Sequence, residues 1–213
     1  MIKAVLFDMD GTLIDSEDMH TLSLKEAIKE ILGVDIPKEE IEKYVGFPYV
    51  EKLKMIFNED KKEFEKVAQL ALEKNKKYIH LVKLPPEVKK ILKNLRKKFK
   101  IGLVTASTKN QAEPLLEMVD IKKYFDIIVT RDDVKKNKPY PDPYLFAANR
   151  LDLKPEECVV VEDSNTGLKS GKSAGMKCII IKHIYNNDQD FSGADFILED
   201  RNQLTTELIM SLG

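Results

Sequence analysis

Five short β-branched runs recur along the chain, most of them separated by longer amphipathic segments, and this alternation limits the possible folds more than any other feature. Residues 3–7, 101–105, 126–130, 159–162 and 178–181 read as strands, each short and dominated by apolar side chains. Strands separated by helical segments do not pair as hairpins; they build a parallel sheet covered on both faces. The predicted class is α/β, with a Rossmann-like parallel sheet as the core.

The alternation fails between Ser16 and about Lys83, where HTLSLKEAIKEIL, PKEEIEKYV and KKEFEKVAQLALEKNKKYI all carry helical periodicity and no strand pattern occurs. An inserted α-helical cap domain is expected at residues 16–83, with residues 1–15 and 84–213 forming the core. Gly33 and Pro37 punctuate the insert, and Leu84-Pro85-Pro86 marks the return to the core. ADFIL, residues 194–198, predicts a last edge strand followed by a closing helix, with no visible chemistry. Gly171 falls inside a predicted helix at a cost of about 0.5–1 kcal/mol relative to alanine, for which the sequence offers no reason.

The 213 residues, 43% hydrophobic, suffice for one well-filled core carrying a smaller second domain. With 35 basic and 36 acidic residues the net charge is -1, which gives no bulk electrostatic reason to expect nucleic acid or an anionic membrane as partner. Cys158 and Cys178 sit in apolar runs and read as buried reduced thiols. The N-terminus lacks a signal-peptide apolar core, and no apolar run approaches the roughly 18 residues a membrane span needs. A soluble, cytoplasmic protein is expected, by default a monomer.

In an open α/β sheet, ligands bind beyond the carboxyl ends of strands near the topological switch point. Asp8 and Asp10 follow the first strand, Thr105-Ala106-Ser107 the second, Lys138 lies in the loop after the third, and Glu162-Asp163 end the fourth. Four carboxylates in one crevice repel each other unless a cation neutralises them, and an oxygen-liganded Mg²⁺ is the natural candidate. With a lysine, a hydroxyl and backbone N–H groups, that set makes a receptacle for a phosphate dianion that a remaining carboxylate can attack. Taken singly, each feature has a plainer reading: an Asp-Gly turn, a calcium loop resembling an EF-hand, helix-capping hydroxyls, a solvated lysine, an acidic helix start. All of them would have to hold together, in order, each after its own strand.

FDMDGTL at Phe7–Leu13, LVTAS at residues 103–107, KPYPD at residues 138–142 and VEDSNTG at residues 161–167 resemble the four ordered motifs of the haloacid dehalogenase superfamily, phosphohydrolase branch. The helical insert resembles the cap of the subgroup that contains β-phosphoglucomutase and phosphoglycolate phosphatase. The resemblance implies that Asp8 attacks phosphorus and forms an aspartyl phosphate, and that Asp10 protonates the leaving oxygen and then activates water. It implies Mg²⁺ held by the Asp8 carboxylate, the Asp10 backbone carbonyl and Asp163, with Glu162 assisting directly or through water. Thr105 and the N–H groups of Met9 and Ala106 would hold phosphoryl oxygens beside Ser107, and Lys138 would offset negative charge.

In the cap, the resemblance points to His20, Gly46 and Tyr49 as substrate-side residues. His20 would couple closure to substrate, or serve as an ordinary helix-packing histidine. The mutase pattern has a basic residue before the glycine and an arginine where this chain has Tyr49; here Val45 and Tyr49 replace them. Lys52, Lys54 or Lys74 would have to supply a distal-phosphate clamp instead. Phe47 and Tyr49 would pack against an apolar leaving group or fill the cap core. The expected activity is hydrolysis of a small phosphorylated metabolite, a sugar or polyol phosphate, with a β-phosphoglucomutase-like phosphotransferase as the second reading and a non-catalytic phospho-ligand-binding protein as a third.

Overall fold

The computed structural model describes residues 1–213, which divide into two compact units, Met1–Ile14 with Leu84–Gly213, and Asp15–Lys83.

The first unit is built on a six-stranded, wholly parallel sheet. Its strands are β1 (Ala4–Phe7), β2 (Lys100–Val104), β3 (Ile127–Val129), β4 (Cys158–Glu162), β5 (Lys177–Ile181) and β6 (Phe196–Leu198), in the spatial order β3-β2-β1-β4-β5-β6. The order runs one way from β1 to β3 and the other way from β4 to β6, so the switch point lies between β1 and β4. AVLF and CVVVE are buried along their whole length, as strands covered on both faces must be. The register sets Phe7 opposite Leu103 on one side and Val161 on the other. The next row along the three strands therefore holds Asp8, Val104 and Glu162.

Five helices belong to this unit: α5 (Val88–Leu95), α6 (Lys109–Met118), α7 (Asp142–Arg150), α8 (Asn165–Ser173) and α9 (Thr206–Ser211). In α5 the buried residues Val88, Leu92 and Leu95 recur at the spacing of one helical face, and its lysines take the other. Gly171, unexplained by sequence, is explained by packing: a Cβ there would stand 2.6 Å from Cys178 Sγ and 3.1 Å from a Val160 methyl. The helix cost is offset by the close seat of α8 on β4 and β5. Cys158 and Cys178 are free and buried, and burial pushes their thiols up to about 11 and about 12.

The second unit contains α1 (Glu17–Leu32), α2 (Lys38–Glu42), α3 (Tyr49–Phe57) and α4 (Glu63–Tyr78). Leu24, Ala27 and Ile28 of α1 meet Phe64, Val67 and Ala71 of α4, with Ile41 and Leu53 closing the cluster. Gly33 ends α1 with φ 70, and its N–H donates to Lys29 O. The sequence reading had no helix at α3. It is nine residues long and starts after Pro48, with Val50, Leu53, Ile56 and Phe57 on one apolar face and Glu51, Lys52 and Lys54 off it. Asp15 and Lys83 pair as an antiparallel bridge, with reciprocal backbone hydrogen bonds of 2.9 and 3.0 Å. No helix is long and apolar enough to cross a membrane.

Candidate active site

The sheet register places the centre of the site. Asp8 continues β1 by one hydrogen bond, its N–H donating to Val161 O at 2.9 Å. Lys138, from the loop after β3, then reaches across the row just beyond Phe7. Its Nζ donates to Asp8 Oδ1 at 2.6 Å, to Val104 O at 2.8 Å and to Glu162 Oε1 at 2.6 Å. All three ammonium protons have an acceptor, one from each of three adjacent strands. Burial alone would push Lys138 down, but the Asp8 and Glu162 carboxylates outweigh it and hold the ammonium above its ordinary range.

Glu162 is held from every side. Its Oε1 also accepts from the hydroxyl of buried Tyr144 at 2.9 Å; its Oε2 accepts from the N–H groups of Asp163 and Ser164 and from Ser164 Oγ at 3.0 Å. Gly167 makes the space, because a Cβ there would sit 1.8 Å from Glu162 Oε1. Burial, and then the charge of Glu162, keep the Tyr144 phenol protonated well above its usual range. A glutamate so committed fixes the lysine first, and any aid to a metal comes from what valence remains.

Asp10 leaves the strand in the turn that follows. Leu13 and Ile14 donate to Met9 O at 2.9 and 3.1 Å, and Gly11 takes φ 80, close against Asp163. The Asp10 carboxylate is not part of the Asp8 row: Ser107 Oγ donates to its Oδ2 at 3.4 Å. Thr105 is buried and its Oγ1 accepts from Ser107 N at 3.0 Å, while Ala106 is exposed at the tip. Neither Thr105 nor Ser107 caps α6; Thr108 does, joined through its N–H and hydroxyl to Gln111 Oε1.

Asp8, Glu162 and Asp163 offer carboxylate oxygens within 4.8 Å of one another, all three buried. Burial raises the pKa of Asp8 well above the usual carboxylate range; Lys138 opposes this, and Glu162, Asp163 and Asp10 add to it. Asp163 is raised as well, again by burial first, with His183 opposing. Three buried carboxylates facing one lysine are short of positive charge, and an all-oxygen set of this kind fits a hard divalent cation.

The sequence reading missed several residues of this site. The hydroxyl of Thr12 donates to Asp163 Oδ1 at 3.2 Å, and His183 Nε2 donates to Asp163 Oδ2 at 2.9 Å. Arg201, in the C-terminal segment read as having no chemistry, donates to Gly11 O at 2.7 Å and Thr12 O at 2.9 Å. His183 had a signal available, since it stands just past β5 where the strand-end rule applies. Tyr144 and Arg201 had none.

In the second unit, Tyr49 OH and His20 Nδ1 lie 2.8 Å apart, and Tyr49 OH donates to Asn75 Oδ1 at 3.2 Å. Gly46 occupies a turn at φ 86 ahead of α3. Lys52 is paired with Glu17 at 3.1 Å, Lys54 with Asp60 at 2.8 Å, and Lys74 with both Glu26 and Glu30 at 2.9 and 2.8 Å.

A parallel doubly wound sheet with a lysine bridging two buried acids and a third acid beside them at its switch point suits phosphoryl transfer. The chain belongs to the haloacid dehalogenase-like hydrolases, whose family model matches residues 5–181. It is 34% identical over 182 residues to the phosphorylated carbohydrates phosphatase of Thermotoga maritima, covering 84% of each chain. It is likewise 34% identical over 219 residues to the beta-phosphoglucomutase of Bacillus subtilis, covering 98% of this chain and 94% of that one. The crystal structure of CbbY from Rhodobacter sphaeroides in complex with phosphate superposes with a TM-score of 0.78 at 28% identity, covering 94% of this chain and 95% of the other.

Proposed function

We propose that this protein is a Mg²⁺-dependent phosphatase of a small phosphorylated metabolite, a sugar or polyol phosphate. The observation that carries the reading is the lysine row: one ammonium bridges Asp8 and Glu162, whereas the Asp10 carboxylate accepts from Ser107. That contrast gives two neighbouring acids different tasks.

An Asp8 oxygen attacks phosphorus in line, forming the acyl phosphate bond as the ester P–O bond breaks. The Asp10 carboxyl gives its proton to the departing alkoxide. A water then attacks the same phosphorus, Asp10 takes its proton, and phosphate leaves as the Asp8 carboxylate is restored. Lys138 lowers the negative charge that Asp8 and the phosphoryl group bring together, and Thr105 with the N–H groups of Met9 and Ala106 orients the phosphoryl oxygens. Asp8, Asp163 and the Asp10 carbonyl, with Glu162 beside them, would hold Mg²⁺, which would supply further neutralisation of the phosphoryl charge.

The names of the relatives span phosphatase and mutase. The phosphatase is favoured by the three cap lysines that would have to clamp a second phosphate, each already engaged with a carboxylate. Phosphorus NMR on purified protein with Mg²⁺ and β-glucose 1-phosphate, primed with a trace of the bisphosphate, tests both readings beside an Asp8→Asn control. Inorganic phosphate from wild type alone is the expected result, from this ester or another in a sugar-phosphate panel. Glucose 6-phosphate without free phosphate would establish the mutase instead.

A further inference from the structure

His183 is wired into the site by its whole local turn. Its own N–H donates to Asn186 Oδ1 at 2.9 Å, and the Tyr185 N–H donates to its Nδ1 at 3.3 Å. A ring nitrogen that accepts a hydrogen bond carries no proton, so Nε2 carries it and is the nitrogen that faces Asp163 Oδ2 at 2.9 Å. The buried Asn186 amide completes the arrangement, donating to Asp163 O at 2.8 Å and Ile181 O at 3.0 Å. Gly11 packs against the pair so closely that a Cβ would lie 2.2 Å from Asp163 Oδ2 and 3.2 Å from His183 Nε2. The turn after β5 therefore holds Asp163 at its main chain and at one carboxylate oxygen, while Thr12 holds the other oxygen.

We propose that His183 is a positioning residue for divalent-cation binding: its neutral Nε2–H fixes the Asp163 carboxylate in the orientation that offers its remaining lone pairs to an ion shared with Asp8. This rests on the cation reading of the Asp8, Glu162 and Asp163 cluster. Carboxylates and imidazoles that orient a metal ligand from behind are worth about 10–100-fold in metal affinity. The opposite role, an imidazole that fills the cation's place and must be displaced, predicts the opposite sign.

Calorimetric titration of Mg²⁺ and electron paramagnetic resonance of Mn²⁺, both on full-length protein without substrate, separate the two. His183→Phe keeps the ring and loses the donor; His183→Gln keeps an N–H close to the Nε2 position; His183→Asn puts it at Nδ1. The expected result is a 10–100-fold weaker Kd for Phe and Asn and near-wild-type binding for Gln, with the metal-free melting temperatures of Asn and Gln alike. Because the Asn and Gln pair carries the comparison alone, a Phe variant that fails to fold does not blunt it. Variants that bind as wild type, or more tightly, overturn the role of His183. A wild-type protein that takes up neither ion overturns the cation reading itself, and this proposal with it.

Discussion

The sheet-end crevice and the helical insert handle buried charge in opposite ways. In the crevice, Asp8 and Glu162 share one lysine with Asp163 close beside them, and Asp8 is left with its pKa well raised by burial and by its acidic neighbours. In the insert, buried Lys52 meets Glu17, and Glu26 gathers Lys74, Lys77 and Tyr78. Balanced charge serves packing. A surplus of one sign, held in place by many hydrogen bonds, is a site waiting for an ion of the other sign.

The comparison can be broken most sharply at Asp8. Asp8→Asn is expected to lose at least about 10³-fold in kcat while melting no lower than wild type, since it removes a carboxylate that burial disfavours. Parallel assays and calorimetry check both halves, and a variant that melts well below wild type would show the acid to be structural. Next comes Gly167→Ala, which forces a methyl onto the Glu162 carboxylate. Its stability should fall by about 1–3 kcal/mol in urea, and kcat should fall at least tenfold as the lysine row is displaced.

Lys52→Met probes the other region: with Glu17 left without its cation, about 2 kcal/mol of stability is expected to go, with kcat unchanged at saturating substrate. A change in KM with unchanged stability would instead make this lysine a substrate group. Glu26→Gln should give the smallest effect. Hydrogen bonds from Lys77, Tyr78 and Lys74 hold the Glu26 carboxyl down to about 2, below its unfolded value. A depressed carboxylate adds stability above its unfolded pKa and loses it as pH falls through the folded one. Wild type should therefore exceed the variant by at most about 1 kcal/mol at neutral pH, the gap closing between about pH 4.5 and pH 2 in acid titrations followed by circular dichroism.

The same contrast governs how much was legible in the sequence. That residues 8, 138, 162 and 163 come together was legible because a parallel sheet delivers strand ends to one place, and chain order alone then names the groups there. The partners that fix them were not found. Tyr144 reaches Glu162 from a helix whose pattern reads as ordinary core, and Arg201 reaches Gly11 and Thr12 from the far end of the chain. Such contacts depend on side-chain reach between elements, which periodicity does not encode. His183 was missed for a different reason: the strand-end rule was applied to four strands and not to β5. The helix α3 was missed because its nine residues are shorter than the span over which helical periodicity becomes distinct.

The reciprocal hydrogen bonds of Asp15 and Lys83 bring the incoming and outgoing chain of the insert to within one strand spacing of each other. Nearly seventy residues thus occupy no more room in the core's connectivity than a tight loop would. Lengthening, shrinking or replacing them changes the closure entropy of the core only slowly with length. To the strand ends, the insert is a cassette spliced into one short connection, and its length is not fixed by the core that carries it.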